Sequence, residues 1–171
     1  YLQSLKIELS IKIDDEKNIK RIHQLINKTN QFNFTTIRYN INEVSNFLNL
    51  DQYSVISLSV KDIFGDSGLT GVIIIKYIEK IAFIDTFLLS CRIIGRKIEY
   101  TLIDYIMNYL KNKNILILES KFIFSDKNSQ VKDFYENIGM NIIKNNLEFK
   151  HYQINISNYI PSNTNFIKIN E

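Results

Sequence analysis

The residues with the clearest chemistry lie in the stretch SCRIIGRKIE, which places the single cysteine of the chain, Cys91, beside Arg92 and Arg96. A thiolate is a strong nucleophile, and neighbouring arginines favour the ionised form. If a helix begins here, its free backbone N–H groups and its dipole attract anions as well. The stretch therefore predicts either a nucleophilic cysteine beside an anion site, or a buried cysteine followed by a helix start with solvated arginines.

A second chemical feature is the stretch INKTNQFNFTTIRY, residues 26–39, which mixes amides, aromatic rings and basic side chains. Amide side chains bond nearby backbone groups, so they are poor residues for a helix interior. They also offer donors and acceptors to a polar ligand, and a basic residue meets a carboxylate or phosphate. The stretch is either a helix end whose phenylalanines fill the core or a pocket wall with these substrate-binding residues: Lys28, Asn30, Gln31, Asn33 and Arg38.

Two ionisable residues are candidates for acid–base chemistry. His23 lies on a predicted helix, where it is either a general base or an exposed helix residue, since imidazole titrates near neutrality. Asp85 interrupts an apolar strand at a position that faces the same side of the sheet as Phe83 and Phe87. A carboxylate there is costly unless it is paired, so Asp85 is either a base or the structural partner of an arginine. No constellation of metal-ligand residue types occurs, so no metal site is predicted.

The length, composition and net charge of the chain limit the class of protein to which it can belong. Its 171 residues suggest one domain, and 45% hydrophobic residues provide a core. No apolar run reaches the ~18 residues of a membrane helix. A net charge of +3 is mild, which argues against a nucleic-acid partner. A single cysteine excludes an internal disulfide and is typical of a reducing compartment, so we expect a cytoplasmic location with no membrane partner.

Hydrophobic periodicity predicts the elements that position these residues. Alternation predicts strands at 6–13, 54–62, 69–77, 80–90, 115–119, 140–144 and 147–156. Helical spacing predicts helices at 16–30, 42–48, 97–111 and 129–138. Strands 54–62 and 69–77 are predicted to form a hairpin, because FGDSG between them is typical of a turn. This order predicts an α/β fold of the α+β type, with a mixed sheet and helices on its faces, and a tail at 157–171.

Two motifs resemble the GNAT acyltransferase fold. RIIGRK, residues 92–97, is similar to its acyl-CoA loop, Arg/Gln-x-x-Gly-x-Gly/Ala, with Lys97 in place of the small residue. NSQVKDFYENIGM, residues 128–140, is similar to its Phe-Tyr-Glu-x-x-Gly-Phe helix. The resemblance implies a mostly antiparallel sheet within residues 1–156 and a Tyr135 that protonates the leaving thiolate, or else packs in the core. It also implies contacts to coenzyme A or pantetheine from Arg92, Ile94, Gly95, Arg96, Lys97 and Asn128.

Three longer stretches are similar to the C-terminal part of FkbH-like proteins: NKTNQFNFTTIRY, VKDIFGDSGLTGV and IDTFLLSCRIIGRKIE. Those proteins carry a haloacid-dehalogenase-type (HAD) phosphatase domain followed by a GNAT-like domain. They load a glyceryl group onto an acyl carrier protein for polyketide-type biosynthesis. Lys97 departs again, since that family usually has Gly there. The resemblance implies that the HAD phosphatase domain of the same polypeptide, with its magnesium, precedes this chain.

The function that the resemblance implies is acyl (glyceryl) transfer to the phosphopantetheine thiol of an acyl carrier protein. Cys91 is then the covalent carrier, with His23 or Asp85 as the base and the amide-rich stretch over the acyl end of the site. Two alternatives stay open. One is a non-catalytic module that binds pantetheine or the carrier protein, and the other is a coenzyme-A-dependent N-acetyltransferase.

Overall fold

The computed structural model describes residues 1–171. Eight strands form, and their bounds are β1 Glu8–Ile13, β2 Tyr53–Asp62, β3 Gly65–Ile78, β4 Ile81–Leu89, β5 Ile117–Ile123, β6 Asn141–Asn145, β7 Phe149–Asn155 and β8 Lys168–Asn170. Four α-helices accompany them: α1 Ile19–Lys28, α2 Ile41–Asn49, α3 Ile98–Asn112 and α4 Phe134–Asn137. None of these helices is both long and apolar enough to cross a membrane.

All eight strands belong to one sheet in the order β6-β7-β5-β4-β3-β2-β1-β8. The β4–β5 and β1–β8 pairs are parallel, and the other pairs are antiparallel. The predicted mixed, mostly antiparallel sheet is therefore confirmed, as is the hairpin of β2 and β3. The predicted tail, residues 157–171, ends in β8, which pairs with β1 and extends the sheet.

Helices cover both faces of this sheet. On one face, α3 and α4 pack into a cluster of 34 buried apolar residues, and on the other, α1 and α2 pack into a cluster of 10. The buried stripe of α1 consists of Ile22, Leu25 and Ile26, which have the spacing of one helix face. Asn40 and Glu43 form a capping box that fixes the start of α2.

Two predicted helices differ from the observed ones at their starts. The predicted helix 16–30 begins as a 3₁₀ turn at Glu16–Asn18, and the Asp15 side chain caps this turn by accepting a hydrogen bond from the Lys17 N–H. The predicted helix 129–138 is divided into a 3₁₀ turn at Ser129–Val131 and the short α4. Its apolar stripe is nevertheless buried as the periodicity indicates, at Val131, Phe134, Tyr135 and Ile138.

A β-bulge at Asp85 changes the phase of β4. Ile74 pairs with Thr86 and Ile75 pairs with Ile84, so Asp85 has no partner on β3. Asp85 was expected to face the same side of the sheet as both Phe83 and Phe87. This expectation is wrong for Phe87, which follows the bulge. Phe87 belongs to the larger core cluster, whereas Phe83 and Asp85 line a cavity.

The parallel pair β4–β5 is short, and the chain itself fills the space beyond it. The two strands pair only from Ile81 opposite Ile117 to Ile84 opposite Ser120. Beyond this point residues Phe32–Thr35, here called the inserted segment, lie between them. Backbone hydrogen bonds join it to both strands, from the Phe34 N–H to Phe87 O (3.1 Å), from the Leu89 N–H to Phe32 O (3.0 Å) and from the Ile123 N–H to Phe34 O (2.8 Å).

Candidate functional site

A cleft of about 550 Å³ brings four of the predicted site residues together: Lys28, Asn30, Gln31 and Cys91. It lies between the C-terminal end of α1, the start of the inserted segment and the end of β4. Cys91 is exposed to solvent, in a 3₁₀ turn directly after β4. We call this the Cys91 cleft. Its volume is in the range of small-molecule sites, roughly 300–1,000 Å³.

The charge of the Cys91 cleft is positive. Arg21, Lys28 and Lys127 line it, and no aspartate or glutamate does. The Nε of Arg21 donates to Leu69 O (3.1 Å), which fixes this guanidinium at the rim. Burial, together with the nearby charge of Arg92, lowers the pKa of Arg21. Several cations without acidic partners favour an anionic ligand, such as one that carries a phosphate or a carboxylate.

The wall of the cleft offers polar groups from the amide-rich stretch. Gln31 is exposed, and the backbone N–H groups of Asn30, Gln31 and Phe32 form no hydrogen bond within the protein. The Asn30 side-chain oxygen accepts from the Arg38 guanidinium, which orients its amide group. These donors suit a ligand with several hydroxyl or carbonyl oxygens.

Two other residues of the amide-rich stretch form hydrogen bonds within the protein and do not face the cleft. Arg38 donates to Ile26 O and to Thr29 O (2.9 Å), so its guanidinium caps the last carbonyls of α1. Asn33 is fully buried; its side-chain oxygen accepts from two backbone N–H groups, and its amide nitrogen donates to Thr29 O (3.1 Å). Neither residue lines the Cys91 cleft, so the stretch is a helix end and core filler at these positions and a pocket wall at Lys28, Asn30 and Gln31.

In the loop at residues 92–97, some polar groups are bonded within the protein and others are free to bind a ligand. The Arg96 guanidinium forms an ion pair of 2.6 Å with Asp62, whose side chain is only 4% exposed, and Arg92 is exposed. The backbone N–H groups of Gly95, Arg96 and Lys97 find no acceptor within the protein. Gly95 and Lys97 both have positive φ, of 86° and 61°, which turns these groups outward before α3. The predicted contact Ile94 packs against the core, where it is half-buried.

Glu99 in the first turn of α3 adds a negative charge near this loop. Its Oε2 atom is buried without a hydrogen-bond partner. Burial raises the pKa of Glu99, because the lost hydration of the ionised carboxylate outweighs a backbone hydrogen bond and the nearby charge of Lys97, which both lower it. An anion at the start of α3 therefore meets both the favourable N–H groups and an unfavourable carboxylate.

Asn128 and Tyr135 contact the inserted segment. Asn128 is fully buried; its amide nitrogen donates to Asn33 O and Ile123 O, both at 2.9 Å, and its oxygen accepts from the Ser125 N–H. Tyr135 is also buried, with its ring centroid 4.5 Å from that of Phe34 and its hydroxyl without a partner. Burial raises the pKa of Tyr135 far above its usual value. Neither residue lines the Cys91 cleft.

A second cavity of about 270 Å³ lies on the far side of the inserted segment and is lined in part by Thr35 and Asp85. The hydroxyl of Tyr39 donates to Asp85 Oδ2 (2.7 Å), and burial and this carboxylate both raise the pKa of Tyr39. Asp85 is thus paired with a tyrosine rather than an arginine. His23 lines neither this cavity nor the Cys91 cleft.

Sequence reasoning missed a close polar contact in the second cavity, between His151 Nε2 and Glu119 Oε1 at 2.8 Å. Glu119 is buried on β5, and His151 lies on the neighbouring β7. The available signal was Glu119 itself, a charged residue that closes the apolar run ILILE. A buried carboxylate of this kind needs a partner, but no sequence pattern identifies His151 as that partner.

Solved structures with the same architecture include the ribosomal-protein-S18-alanine N-acetyltransferase of Escherichia coli. It has a TM-score of 0.70 and 9% identity, with 91% of this chain and 97% of that one covered. The chain has the GNAT fold. The PaiA N-acetyltransferase of Thermoplasma acidophilum, solved with coenzyme A, has a TM-score of 0.67 and 18% identity, covering 85% and 98%. The spermidine/spermine N-acetyltransferase SpeG of Vibrio cholerae has a TM-score of 0.66 and 16% identity, covering 88% and 95%.

Comparison of the sequence with protein-family models gives no match, and neither does comparison with curated protein sequences. The similarity to solved structures thus concerns the GNAT fold and extends over nearly the whole chain.

The GNAT fold implies coenzyme A, and the places that the resemblance assigns to this molecule fit it only in part. The free N–H groups of the 95–97 loop suit a phosphate. The place beside Asn128 and Tyr135, which the resemblance assigns to the pantetheine arm, does not fit an arm because the inserted segment fills it. Displacing the segment would expose Phe32 and Phe34, whose burial is worth roughly 1.5–3 kcal/mol each. It would also break backbone hydrogen bonds worth about 1 kcal/mol each.

Proposed function

We propose that this domain transfers an acyl group to the thiol of a pantetheine arm by way of Cys91. The observation that supports this proposal is the position of Cys91, the single thiol of the chain, exposed in a cationic cleft with the amides of Asn30 and Gln31. A thiol that merely fills the core would be buried. Lys28 and Lys127 provide the positive charge that a phosphorylated donor or arm requires.

The proposed reaction has two acyl-transfer steps. In the first, the Cys91 thiolate attacks the carbonyl carbon of an activated acyl donor, a thioester bond forms, and the donor's phosphate or thiolate leaves with the electron pair of the broken bond. In the second, the thiolate of the arm attacks the Cys91 thioester and the Cys91 thiolate leaves. The free N–H group of Phe32 supplies a hydrogen bond where the carbonyl oxygen gains charge.

The acyl group that we propose is glyceryl, and the arm is that of an acyl carrier protein in polyketide-type biosynthesis. The resemblance of three stretches to FkbH-like proteins supports this choice, with a HAD phosphatase domain of the same polypeptide as a further partner. The chemistry of the cleft is compatible with it, because each hydroxyl of a glyceryl group needs a polar partner once it leaves water. Asn30 and Gln31 are the amides that the cleft offers.

The test is acylation of Cys91 in the absence of any arm. We expect intact-protein mass spectrometry to show one glyceryl adduct after incubation with a glyceryl thioester of N-acetylcysteamine, and peptide mapping to place it on Cys91. The variant Cys91→Ala should form no adduct while keeping the circular dichroism spectrum and thermal midpoint of the wild type. Loading of carrier protein by Cys91→Ala at the wild-type rate would refute the covalent role.

A second candidate is coenzyme-A-dependent N-acetyl transfer. It is favoured by the free N–H groups of Gly95, Arg96 and Lys97 before α3 and by the N-acetyltransferases that share the fold. In this case acetyl-coenzyme A would be consumed in the presence of an amine, and Cys91→Ala would retain the activity. Binding of carrier protein with neither activity would indicate the non-catalytic module instead.

A further inference from the structure

We propose that the inserted segment, Phe32–Thr35, stays in place during the reaction, and that a pantetheine-type arm reaches Cys91 through the Cys91 cleft on the outer side of the segment. This inference rests on the proposed function, because it states where the second thiol of that reaction binds. It places the arm away from Asn128 and Tyr135, which become structural residues that hold the segment.

The backbone of the segment already occupies the edges that β4 and β5 would otherwise present to an extended ligand. Asn33 forms an antiparallel bridge with Leu88, flanked by hydrogen bonds between Phe34 and Phe87 and between Phe32 and Leu89. On the other side the Ile123 N–H donates to Phe34 O (2.8 Å). An extended arm binds to a strand through such edge groups, and here the chain's own backbone uses them.

Side chains also hold the segment from both sides. The Phe34 ring stacks on Phe87 at 4.9 Å between centroids and lies 5.5 Å from Phe134. The amide of Asn128 donates to Asn33 O, and the Thr35 hydroxyl donates to Asp85 O at the bulge (3.0 Å). Opening the space would uncover buried rings and leave several polar groups unpaired at once, so a ligand would have to replace all of these contacts.

The Cys91 cleft provides what an arm needs without such a cost. A phosphopantetheine arm carries a phosphate at one end, two amides along its length and the thiol at the other end. Lys28, Lys127 and Arg21 are cations for the phosphate, and the unpaired N–H groups of Asn30 and Gln31 are donors for the arm's carbonyl oxygens. Cys91 lies in the same cleft, so the arm thiol and the acyl thioester share one space.

The test combines Cys91 alkylation with amide hydrogen exchange. The probe is S-methyl-4′-phosphopantetheine, whose capped thiol cannot consume the alkylating reagent. We expect the probe to slow alkylation of Cys91 by iodoacetamide in a saturable way. The amide of Phe34 belongs to the segment itself, and its exchange rate should remain unchanged at saturation. Faster exchange at Phe34 would show that the segment is displaced, and alkylation that the probe does not slow would show that the arm does not enter the cleft; either result overturns the proposal.

Charge variants provide the matched control. The double variant Lys28→Ala/Lys127→Ala should weaken protection by the probe on the order of tenfold, because it removes two charge-assisted contacts. Lys20→Ala, an exposed lysine of α1 outside the cleft, should leave protection unchanged. Equal weakening in both variants would contradict a defined phosphate contact. Failure of the proposed function appears separately, as absence of an acyl adduct on Cys91 when no arm is present.

Discussion

Two basic residues of the amide-rich stretch, Lys28 and Arg38, have different surroundings although the sequence presents them alike. Lys28 faces the Cys91 cleft, while Arg38 bonds the carbonyls of Ile26 and Thr29 and the side chain of Asn30. The spacing of residues along the chain indicates which side chains are near a helix end. It does not indicate which of them turn back to cap it, because this depends on the path of the following loop.

The substitution Arg38→Gln should therefore reduce stability rather than ligand affinity. It removes charge-assisted hydrogen bonds to the end of α1, and because the side chain is partly exposed we expect a loss of only about 1–2 kcal/mol in the free energy of unfolding. Urea unfolding measures this loss. Lys28→Gln is the matched control and should keep the wild-type stability. The opposite pattern, with unchanged stability and weaker ligand binding for Arg38→Gln, would favour a direct role in the substrate site.

At the scale of elements, the periodicity of apolar residues predicted the sheet and helices well, and its failures lie where the site forms. The bulge at Asp85 reverses the phase of β4, and one extra residue of this kind leaves no mark in a strand pattern. The inserted segment is equally hidden: it has no strand-length alternation, and its partners Phe87 and Ile123 are distant in sequence. Both features depend on tertiary contacts, so a single sequence contains no local signal for them.

The start of α3 should respond to pH through Glu99. Burial raises its pKa in the folded state, so this group favours folding most below its unfolded pKa, near 4.5, and stability is lost as the pH rises through the folded value. Glu99→Gln should therefore be more stable than the wild type at pH 7, and the difference should vanish below about pH 4. Chemical denaturation across this pH range measures the difference.

Glu136 provides a control of opposite sign for this pH dependence. Hydrogen bonds from Tyr152 and Lys150 lower its pKa, so its contribution is present above the unfolded pKa and is lost as the pH falls through the folded value. Glu136→Gln should be less stable than the wild type at pH 7. If both variants shifted stability in the same direction at pH 7, burial of Glu99 would not be the cause.

On the scale of the whole molecule, the order of strands and helices predicted a mixed sheet with helices on its faces, and the resemblance of two motifs identified the GNAT fold. Residues 157–171 were predicted only as a tail, because they are rich in asparagine and lack a regular apolar pattern. In the structure Asp104 of α3 accepts hydrogen bonds from the backbone N–H groups of Ser162 and Asn163 and from the Tyr159 hydroxyl. These contacts direct the chain back to β1, where β8 completes the sheet.

Loss of the Asp104 carboxylate should loosen this C-terminal part while the rest of the sheet persists. In Asp104→Ala we expect faster amide exchange at Lys168, whose N–H donates to Ile7 O (3.0 Å), and easier proteolysis within residues 157–163. Asp126→Ala, in an exposed loop, is the control and should change neither measurement. Unchanged exchange at Lys168 in Asp104→Ala would show that the pairing of β8 with β1 alone retains the tail.

The inserted segment also sets an order for assembly as the chain is synthesised. Phe34 reaches its neighbours Phe87 and Phe134 only after most of this domain has left the ribosome, and Asn33 bonds a residue 95 positions further along. Until then the two aromatic rings of the segment have no core to enter, and the long loops that join them to their partners must be closed at an entropic cost. The centre of the sheet is thus completed late, by residues that are made early.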